Sequence, residues 1–159
     1  IKPSDEDMMR QLFYNFSDES KYFRYFANKP VMPHKEMQKY VNIDYQDTLS
    51  IVAIVEKGRN ERIIAEARYA YGKQEGAHEV AFIVDEEFQG KGVATFMLNY
   101  LIKIAGNRGI GEFIAYVLPR NEAMLKVFEK AKVPITRSFD SDAILVRLNL
   151  AAPKAENIT

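Results

Sequence analysis

A glycine-containing loop between an apolar strand and an amphipathic helix constrains the fold of this chain more than any other feature. The run from Glu79 to Ala105 begins as a strand, becomes acidic at residues 85–87, and passes through the loop Gln89–Ala94 into a helix. The apolar positions of that helix follow the i, i+3, i+4, i+7 spacing of a buried face. They are Val93, Phe96, Met97, Tyr100, Leu101 and Ile104.

A strand, a glycine loop and a helix N-terminus in this order favour binding of an anion. The first N–H groups of a helix have no partner within the helix, and the helix dipole places about +0.5 charge at that end. Gly90 and Gly92 permit positive φ angles and a close approach of the backbone to a ligand. The sequence therefore predicts that Gln89–Ala94 binds phosphate.

Two phosphate-binding patterns are candidates for this loop. The dinucleotide fingerprint G-x-G-x-x-G starts directly after its strand and has an acidic residue about 20 positions later, at the end of the next strand. Here Thr95 occupies the third glycine position, and five residues separate Val84 from Gly90. Glu112 opens the next strand instead of closing it. The pattern Gln/Arg-x-x-Gly-x-Gly/Ala, in contrast, fits Gln89–Ala94 at every fixed position.

On these residues the chain resembles the GCN5-related N-acetyltransferases (GNAT), whose loop for the pyrophosphate of acetyl-CoA has this second pattern. The resemblance implies that acetyl-CoA is the cosubstrate and that its pyrophosphate is held by backbone N–H groups. Those groups would belong to Gln89, Gly90, Lys91, Gly92, Val93 and Ala94. Lys91 either adds positive charge to the site or is a solvated surface lysine. The backbone of Phe82, Ile83 and Val84 is expected to pair with the pantetheine arm, and Asn121 to cap a helix and contact the cosubstrate.

Composition narrows the function classes further. The chain has 159 residues, 47% of them hydrophobic, with 22 basic and 22 acidic side chains, so no basic field indicates nucleic-acid binding. It has no cysteine, no signal-peptide pattern and no apolar run of membrane-spanning length. Neither His34 nor His78 has a partner at metal-ligand spacing. We therefore expect a cytoplasmic protein without a metal.

The order of predicted elements is ααα-βββ-α-β-α-β, which indicates an α/β chain of the α+β type. We expect the GNAT fold, a mixed central sheet flanked by helices on both faces, with one βαβ crossover at the glycine loop. The predicted strands are Leu49–Glu56, Arg62–Tyr71, His78–Val84, Glu112–Leu118 and Ala143–Leu150. Residues 1–150 are expected to form a single domain and residues 151–159 a disordered tail. Residue 1 is Ile rather than Met, which is compatible with excision from a longer multidomain chain.

Two N-terminal segments resemble more specifically the GNAT domain of bacterial protein lysine acetyltransferases of the Pat type. They are residues 19–26, ESKYFRYF, and residues 42–45, NIDY. The resemblance implies acetylation of protein lysines, with metabolic enzymes such as acyl-CoA synthetases as targets, and a fused or partner regulatory domain. From the residues alone, the same segments also fit an aromatic-rich helix packed on the sheet and an Asx-type turn.

Glu79 is the candidate general base. About one lysine amine in 10³ is neutral at pH 7, so a base within hydrogen-bond reach would aid attack on a thioester. Strand alternation places Glu79 on the face of Ala81 and Ile83, where an apolar surround would raise the pKa of a carboxylate. A glutamate at the start of a strand is more commonly a solvated edge residue, and the Pat-type resemblance favours the catalytic role. His78 is the alternative base, but it points to the opposite face.

The last predicted helix departs from the family pattern. Many GNAT enzymes use a Tyr of that helix to protonate the leaving thiolate, whereas the apolar stripe here carries Phe128. Protonation of the thiolate is therefore unassigned. Two other functions stay open: acetylation of a small amine, and a non-catalytic acyl-CoA sensor that reports to a regulatory domain.

Overall fold

The computed structural model describes residues 1–26, 29, 31–73 and 75–151. Its five α-helices among these residues are α1 (Glu6–Tyr14), α2 (Asp18–Tyr25), α3 (His34–Val41), α4 (Val93–Asn107) and α5 (Glu122–Glu129). The strands are β1 (Thr48–Lys57), β2 (Asn60–Gly72), β3 (Ala77–Val84), β4 (Glu112–Val117), β5 (Ile135–Asp140) and β6 (Ala143–Asn149). The tail predicted as disordered lies, from residue 152 onward, outside the described residues.

The six strands form one mixed sheet in the order β1-β2-β3-β4-β6-β5. β3 and β4 are parallel, with His78 opposite Phe113 and Glu79 opposite Ile114, and α4 connects them. β6 is antiparallel to both β4 and β5. Parallel neighbours need such a crossover connection, so the βαβ unit predicted around the glycine loop is confirmed. The mixed sheet of the predicted fold class is confirmed with it.

The residues fall into two compact groups. The first consists of Ile1–Arg68 and Ala81–Ala94, and the second of Tyr69–Val80 with the described residues from 95 onward. In the first group, an apolar cluster joins α1 and α3 to β2 and β3. Its buried members are Met9, Leu12, Phe13, Phe16, Met32, Met37, Val41, Ile63 and Ile83.

A buried ionic cluster in the first group links β1, β2 and α3. Glu66 on β2 is fully buried, and its Oε1 accepts a hydrogen bond of 2.5 Å from the Ser50 hydroxyl on β1. The same oxygen pairs with Arg68, which donates to the Tyr40 carbonyl at 2.8 Å and lies over the Tyr40 ring. A buried carboxylate needs such partners because desolvation of an unpaired charge is costly.

In the second group, α4 packs on a different face from the predicted one. Its buried residues are Met97, Leu98, Leu101, Ile102 and Ala105. Phe96 is 72% exposed and Tyr100 49% exposed, and their rings stack on each other at 6.3 Å. The predicted stripe was therefore wrong at these two positions: the buried face is rotated by about one residue along the helix.

Two local features also differ from what the sequence predicts. Residues Ser4–Asp7 have the Ser-x-x-Asp pattern of a capping box, but Asp5 is the N-cap of α1, and its side chain accepts a hydrogen bond from the Lys2 N–H at 2.9 Å instead of capping the helix. β5 was not predicted at all, because five of its six residues are exposed and its polar side chains show no buried face. The predicted turn at residues 42–45 is confirmed, since Asp44 Oδ1 accepts from the N–H groups of Gln46, Asp47 and Thr48.

Candidate active site

The loop between β3 and α4 is anchored at its N-terminal side by hydrogen bonds within the first group. The Asp85 N–H donates to the Ile64 carbonyl at 2.7 Å, and a 3-10 turn follows at Glu86–Phe88. The Gln89 side chain donates from Nε2 to the Val84 carbonyl at 3.0 Å. The loop is thus tied back to the last residue of its own strand.

Gln89 therefore differs from the other predicted phosphate-binding residues. Its N–H donates to the Glu86 carbonyl at 3.3 Å, so this group is already engaged. In the described part of the chain, no hydrogen bond uses the N–H groups of Gly90, Lys91 and Gly92. Val93 opens α4, so its N–H and that of Ala94 belong to the first helical turn.

Both glycines of the loop adopt positive φ angles. Gly90 has a φ of +74° and Gly92 a φ of +84°, a region that residues with a Cβ rarely occupy. A Cβ built on either glycine meets no atom within 4 Å. The space outside both Cα atoms is therefore open to a ligand, and the geometry fits close approach of a phosphate group.

The three carboxylates before the loop, at residues 85–87, form ion pairs or hydrogen bonds with neighbouring groups. Arg62 on β2 lies 3.7 Å from the buried Asp85 carboxylate and 3.2 Å from Glu87. Glu86 accepts hydrogen bonds of 2.9 Å from the Ser17 N–H and from the Ser20 hydroxyl. These partners reduce the repulsion that three carboxylates would exert on an incoming anion.

The contact between Glu86 and Ser17 was not predicted from the sequence. Ser17 is the N-cap of α2, and its hydroxyl accepts from the Ser20 N–H at 3.1 Å. The Glu86 carboxylate adds a negative charge at the same helix end, where the dipole stabilises it. These hydrogen bonds lower the pKa of Glu86, first through the Ser17 contacts and then through Ser20. The only sequence signal was the Ser17 cap, which cannot identify a partner 69 residues away.

Lys91 is exposed, and its ammonium group lies 5.3 Å from the centre of the Phe88 ring. This cation–π distance restrains the side chain beside the loop without burying its charge. Phe82, Ile83 and Val84 bury their side chains, so the predicted contribution of these three residues would be made by backbone atoms.

Glu79 lies on β3 and is exposed, whereas Ala81 is half-buried and Ile83 is buried on the same strand face. The predicted apolar enclosure of this carboxylate is therefore not present, because the apolar residues of the face lie further along the strand. Exposure leaves the carboxylate accessible to a large acceptor as well as to a small one.

His78 points to the opposite face of β3, as predicted. Its ring packs against Tyr69 at 5.7 Å and Tyr71 at 5.1 Å, and Tyr69 also contacts Phe113. This aromatic cluster gives His78 a packing role in the second group.

Tyr116 was not singled out from the sequence, yet it lies on the same sheet face as Glu79. Glu79 is opposite Ile114 in the parallel pair, and Tyr116 is two residues beyond Ile114 on β4. Side chains two residues apart on a strand share a face, so Tyr116 is a diagonal neighbour of Glu79. Recognising this relation requires the β3–β4 register.

The fifth helix confirms one predicted role. Asn121 is its N-cap, and its Oδ1 accepts from the Met124 N–H at 3.3 Å. Phe128, which carries no hydroxyl, is 1% exposed in the core.

Among the described residues, no three or more His, Asp or Glu side chains are grouped closely enough to hold a metal ion. Within the same residues, no helix combines the length and the apolarity that crossing a membrane requires.

Comparison with known proteins places the chain among acetyltransferases. Residues 10–132 match the model of the acetyltransferase (GNAT) family. Over 124 residues the chain is 25% identical to an acetyltransferase of Pseudomonas aeruginosa, and the match covers 78% of this chain and 67% of that protein. Over 132 residues it is 30% identical to the acetyltransferase Pat of Mycolicibacterium smegmatis, covering 82% of this chain but 38% of that protein. The crystal structure of the GNAT domain of S. lividans PAT has a TM-score of 0.83 and 32% identity, covering 94% of this chain and 87% of that one.

Proposed function

Because the chain belongs to the acetyltransferase (GNAT) family, we propose that it transfers the acetyl group of acetyl-CoA to the ε-amine of protein lysines. Family membership confirms the resemblance drawn from the loop Gln89–Ala94. The acceptor, the catalytic base and the residues that bind acetyl-CoA are our proposals. The observation that carries them is an exposed Glu79 on the strand that leads into a loop with two positive-φ glycines.

The loop would bind the pyrophosphate of acetyl-CoA. The N–H groups of Gly90, Lys91 and Gly92 are available, the N-terminus of α4 adds its dipole, and the Lys91 ammonium group supplies charge. Gln89 supports the loop through its side chain instead of donating its N–H. The backbone of residues 82–84 would orient the pantetheine arm, and Asn121 would add a contact from the start of α5.

Glu79 would act as the general base. A protonated lysine is not a nucleophile, and a carboxylate within hydrogen-bond reach can accept its proton as the amine attacks the thioester. The nitrogen forms a bond to the carbonyl carbon, the carbon–sulfur bond breaks, coenzyme A leaves as its thiolate, and the amide is released. The exposed carboxylate can be reached by a lysine on the surface of another protein as well as by a small amine.

A protein acceptor is also supported by the similarity to the Pat proteins of M. smegmatis and S. lividans. The Pat-type resemblance favours acyl-CoA synthetases among metabolic enzymes as targets, and a regulatory domain, fused or separate, as a partner. A cytoplasmic location would give the chain access to such targets.

Release of free thiol from acetyl-CoA tests this function directly. The chain has no cysteine and adds no background to a thiol-reactive dye. The acceptors are an acetyl-CoA synthetase, lysine peptides and a panel of small amines, each with the native chain and with Glu79→Gln. We expect release that depends on the protein acceptor and falls about 10²- to 10⁴-fold in the variant, the usual contribution of a general base.

The matched control is Glu112→Gln, since Glu112 is another glutamate of the sheet, at the start of β4, and pairs with Arg147 on β6. It should retain native turnover. Transfer to small amines alone would contradict the protein acceptor, and tight acetyl-CoA binding without any transfer would favour a sensor. Equal turnover of native chain and Glu79→Gln would exclude Glu79 as the base.

A further inference from the structure

The strand β5 is an exposed edge of the sheet. It comes last in the strand order, so among the described residues β6 is its only neighbour. Five of its six residues are exposed. Phe139 on this strand is 81% exposed, more than any other large apolar side chain that the structure describes. An edge strand with an aromatic ring in solvent is a surface to which another strand can pair.

The hairpin with β6 determines which backbone groups of β5 face outward. The two-residue turn at residues 141–142 joins Asp140 to Ala143, which lie opposite each other in the β5–β6 register. The residues that flank such a turn exchange hydrogen bonds, and hydrogen-bonded and non-bonded pairs then alternate along the ladder. The even-numbered residues of β5 therefore direct their N–H and C=O groups towards β6. Arg137 and Phe139 direct theirs to the free edge.

We propose that two copies of this chain associate through the free edge of β5, in an antiparallel pair centred on Ser138. A two-fold axis at Ser138 places Arg137 of each copy opposite Phe139 of the other copy. Each of these two pairs can exchange two backbone hydrogen bonds, because both residues direct their N–H and C=O groups outward. The two six-stranded sheets then become one continuous sheet.

The side chains of β5 complement each other in this register. Directly opposite residues have Cβ atoms about 5 Å apart, so the Arg137 guanidinium reaches the exposed Phe139 ring of the second copy in a cation–π contact. Glu129 on α5 pairs with Arg137 at 2.6 Å and restrains the guanidinium on this face. On the other face, Thr136 lies opposite Asp140 of the second copy, and the threonine hydroxyl can donate to that carboxylate.

Charge and backbone conformation disfavour the two adjacent registers. A pair centred on Arg137 would place two guanidinium groups directly opposite each other, and like charges in that position are destabilising. A pair centred on Phe139 would place Arg137 opposite Ser141, whose φ of +56° belongs to a turn and not to a strand. The register centred on Ser138 avoids both conflicts and gives each cation an aromatic partner.

Cysteine cross-linking tests this register, because the chain has no cysteine of its own. Ser138 would meet its own copy in a non-hydrogen-bonded pair with Cα atoms about 4.5 Å apart, a separation that a disulfide can span. Thr136→Cys is the matched control on the same exposed strand and the same face. Its two copies would lie about 13 Å apart along the strands, because four residues of rise separate them.

Under mild oxidation, Ser138→Cys should form a disulfide-linked dimer at least roughly 10-fold faster than Thr136→Cys. Equal rates for the two variants would indicate random collision and would overturn the proposed pairing. Cross-linking of Thr136→Cys alone, or of neither variant, would overturn it as well.

Sedimentation equilibrium tests association of the chain without any cross-link. The mass of the native chain should rise with concentration towards that of a dimer. Phe139→Lys places a second cation opposite Arg137 and should raise the dissociation constant of the dimer roughly 10-fold or more. The matched control Phe96→Lys changes the other strongly exposed phenylalanine, 72% exposed on α4, and should associate like the native chain. Far-ultraviolet circular dichroism verifies that each variant is folded.

A native chain that stays monomeric up to millimolar concentration would overturn the inference. An equal loss of association in Phe96→Lys and Phe139→Lys would also overturn it, because the interface would then not be specific to β5. Neither measurement involves acetyl transfer, so the outcome is independent of the proposed function.

Discussion

Gly92→Ala separates the backbone requirement of the glycine loop from its ligand-binding role. Gly92 has a φ of +84°, and a Cβ added to it meets no atom within 4 Å. In the free chain the substitution therefore causes no steric clash, and its effect is the left-handed backbone strain of about 1–2 kcal/mol. A loss of binding free energy for acetyl-CoA, in contrast, has to come from contact between the added methyl group and the ligand.

Gly58→Ala is the matched control. Gly58 lies in the turn between β1 and β2, has a φ of +65°, and its added Cβ likewise meets no atom within 4 Å. Both variants should lose a similar free energy of unfolding, about 1–2 kcal/mol, in urea denaturation. A much larger loss for Gly92→Ala would show that its Cβ meets atoms of the chain.

The affinity for acetyl-CoA should separate the two variants. Moving the pyrophosphate away from one N–H group removes a hydrogen bond to a charged acceptor, which is worth about 1.5–3 kcal/mol. The dissociation constant of Gly92→Ala should therefore rise roughly 10- to 100-fold, while that of Gly58→Ala stays native. Isothermal titration calorimetry below the unfolding transition measures both. Equal dissociation constants for the two variants would refute the assignment of the loop as the pyrophosphate site.

Three further predictions concern stability. Because hydrogen bonds from Ser17 lower the pKa of Glu86, this carboxylate stabilises the fold above its usual pKa near 4.5, and the contribution is lost as the pH falls through the lowered value. The free energy of unfolding of Glu86→Gln should thus be about 0.3–1 kcal/mol below that of the native chain at pH 7, and the two values should become equal in acid. A difference that stays constant between neutral and acidic pH would contradict this dependence on the ionisation of Glu86. Ser50→Ala leaves the buried Glu66 carboxylate one hydrogen bond short and should lower the free energy of unfolding by about 1–3 kcal/mol, whereas no change would indicate that water replaces the hydroxyl. Asn121→Ala removes the α5 cap and should lower the free energy of unfolding by about 0.5–2 kcal/mol, whereas Asn121→Ser should be close to native. Equal losses in the two variants would argue against a capping role of Asn121.

Local sequence patterns predicted most of the elements, because strands and helices with one buried face show that face in their spacing. β3 and the loop after it were predicted within one residue, since an apolar run, acidic residues and two glycines follow each other directly. β5 escaped because an exposed edge strand has no buried face to show. The buried face of α4 was misplaced since Phe96 and Tyr100 continue its apolar positions on the solvent side.

The site residues divide in the same way. The glycine loop and the Asn121 cap could be predicted, because each depends on residues within a few positions of each other. The partnership of Glu86 with Ser17 could not, since it joins residues 69 positions apart and depends on how α2 meets the loop after β3. The environment of Glu79 was predicted wrongly for a related reason: alternation assigns a side chain to a face but does not say how far that face is covered.

The relation between Glu79 and Tyr116 shows most clearly what the register adds. α4 separates β3 from β4, so the sequence distance between the two residues says nothing about their pairing. A shift of one residue in the pairing of β4 would turn Tyr116 to the face of His78 and remove the hydroxyl from the side of Glu79. In the observed register, Phe113 packs into the aromatic cluster of His78 while Ile114 lies opposite Glu79. The apolar packing on one face therefore determines which phenol accompanies the proposed base on the other.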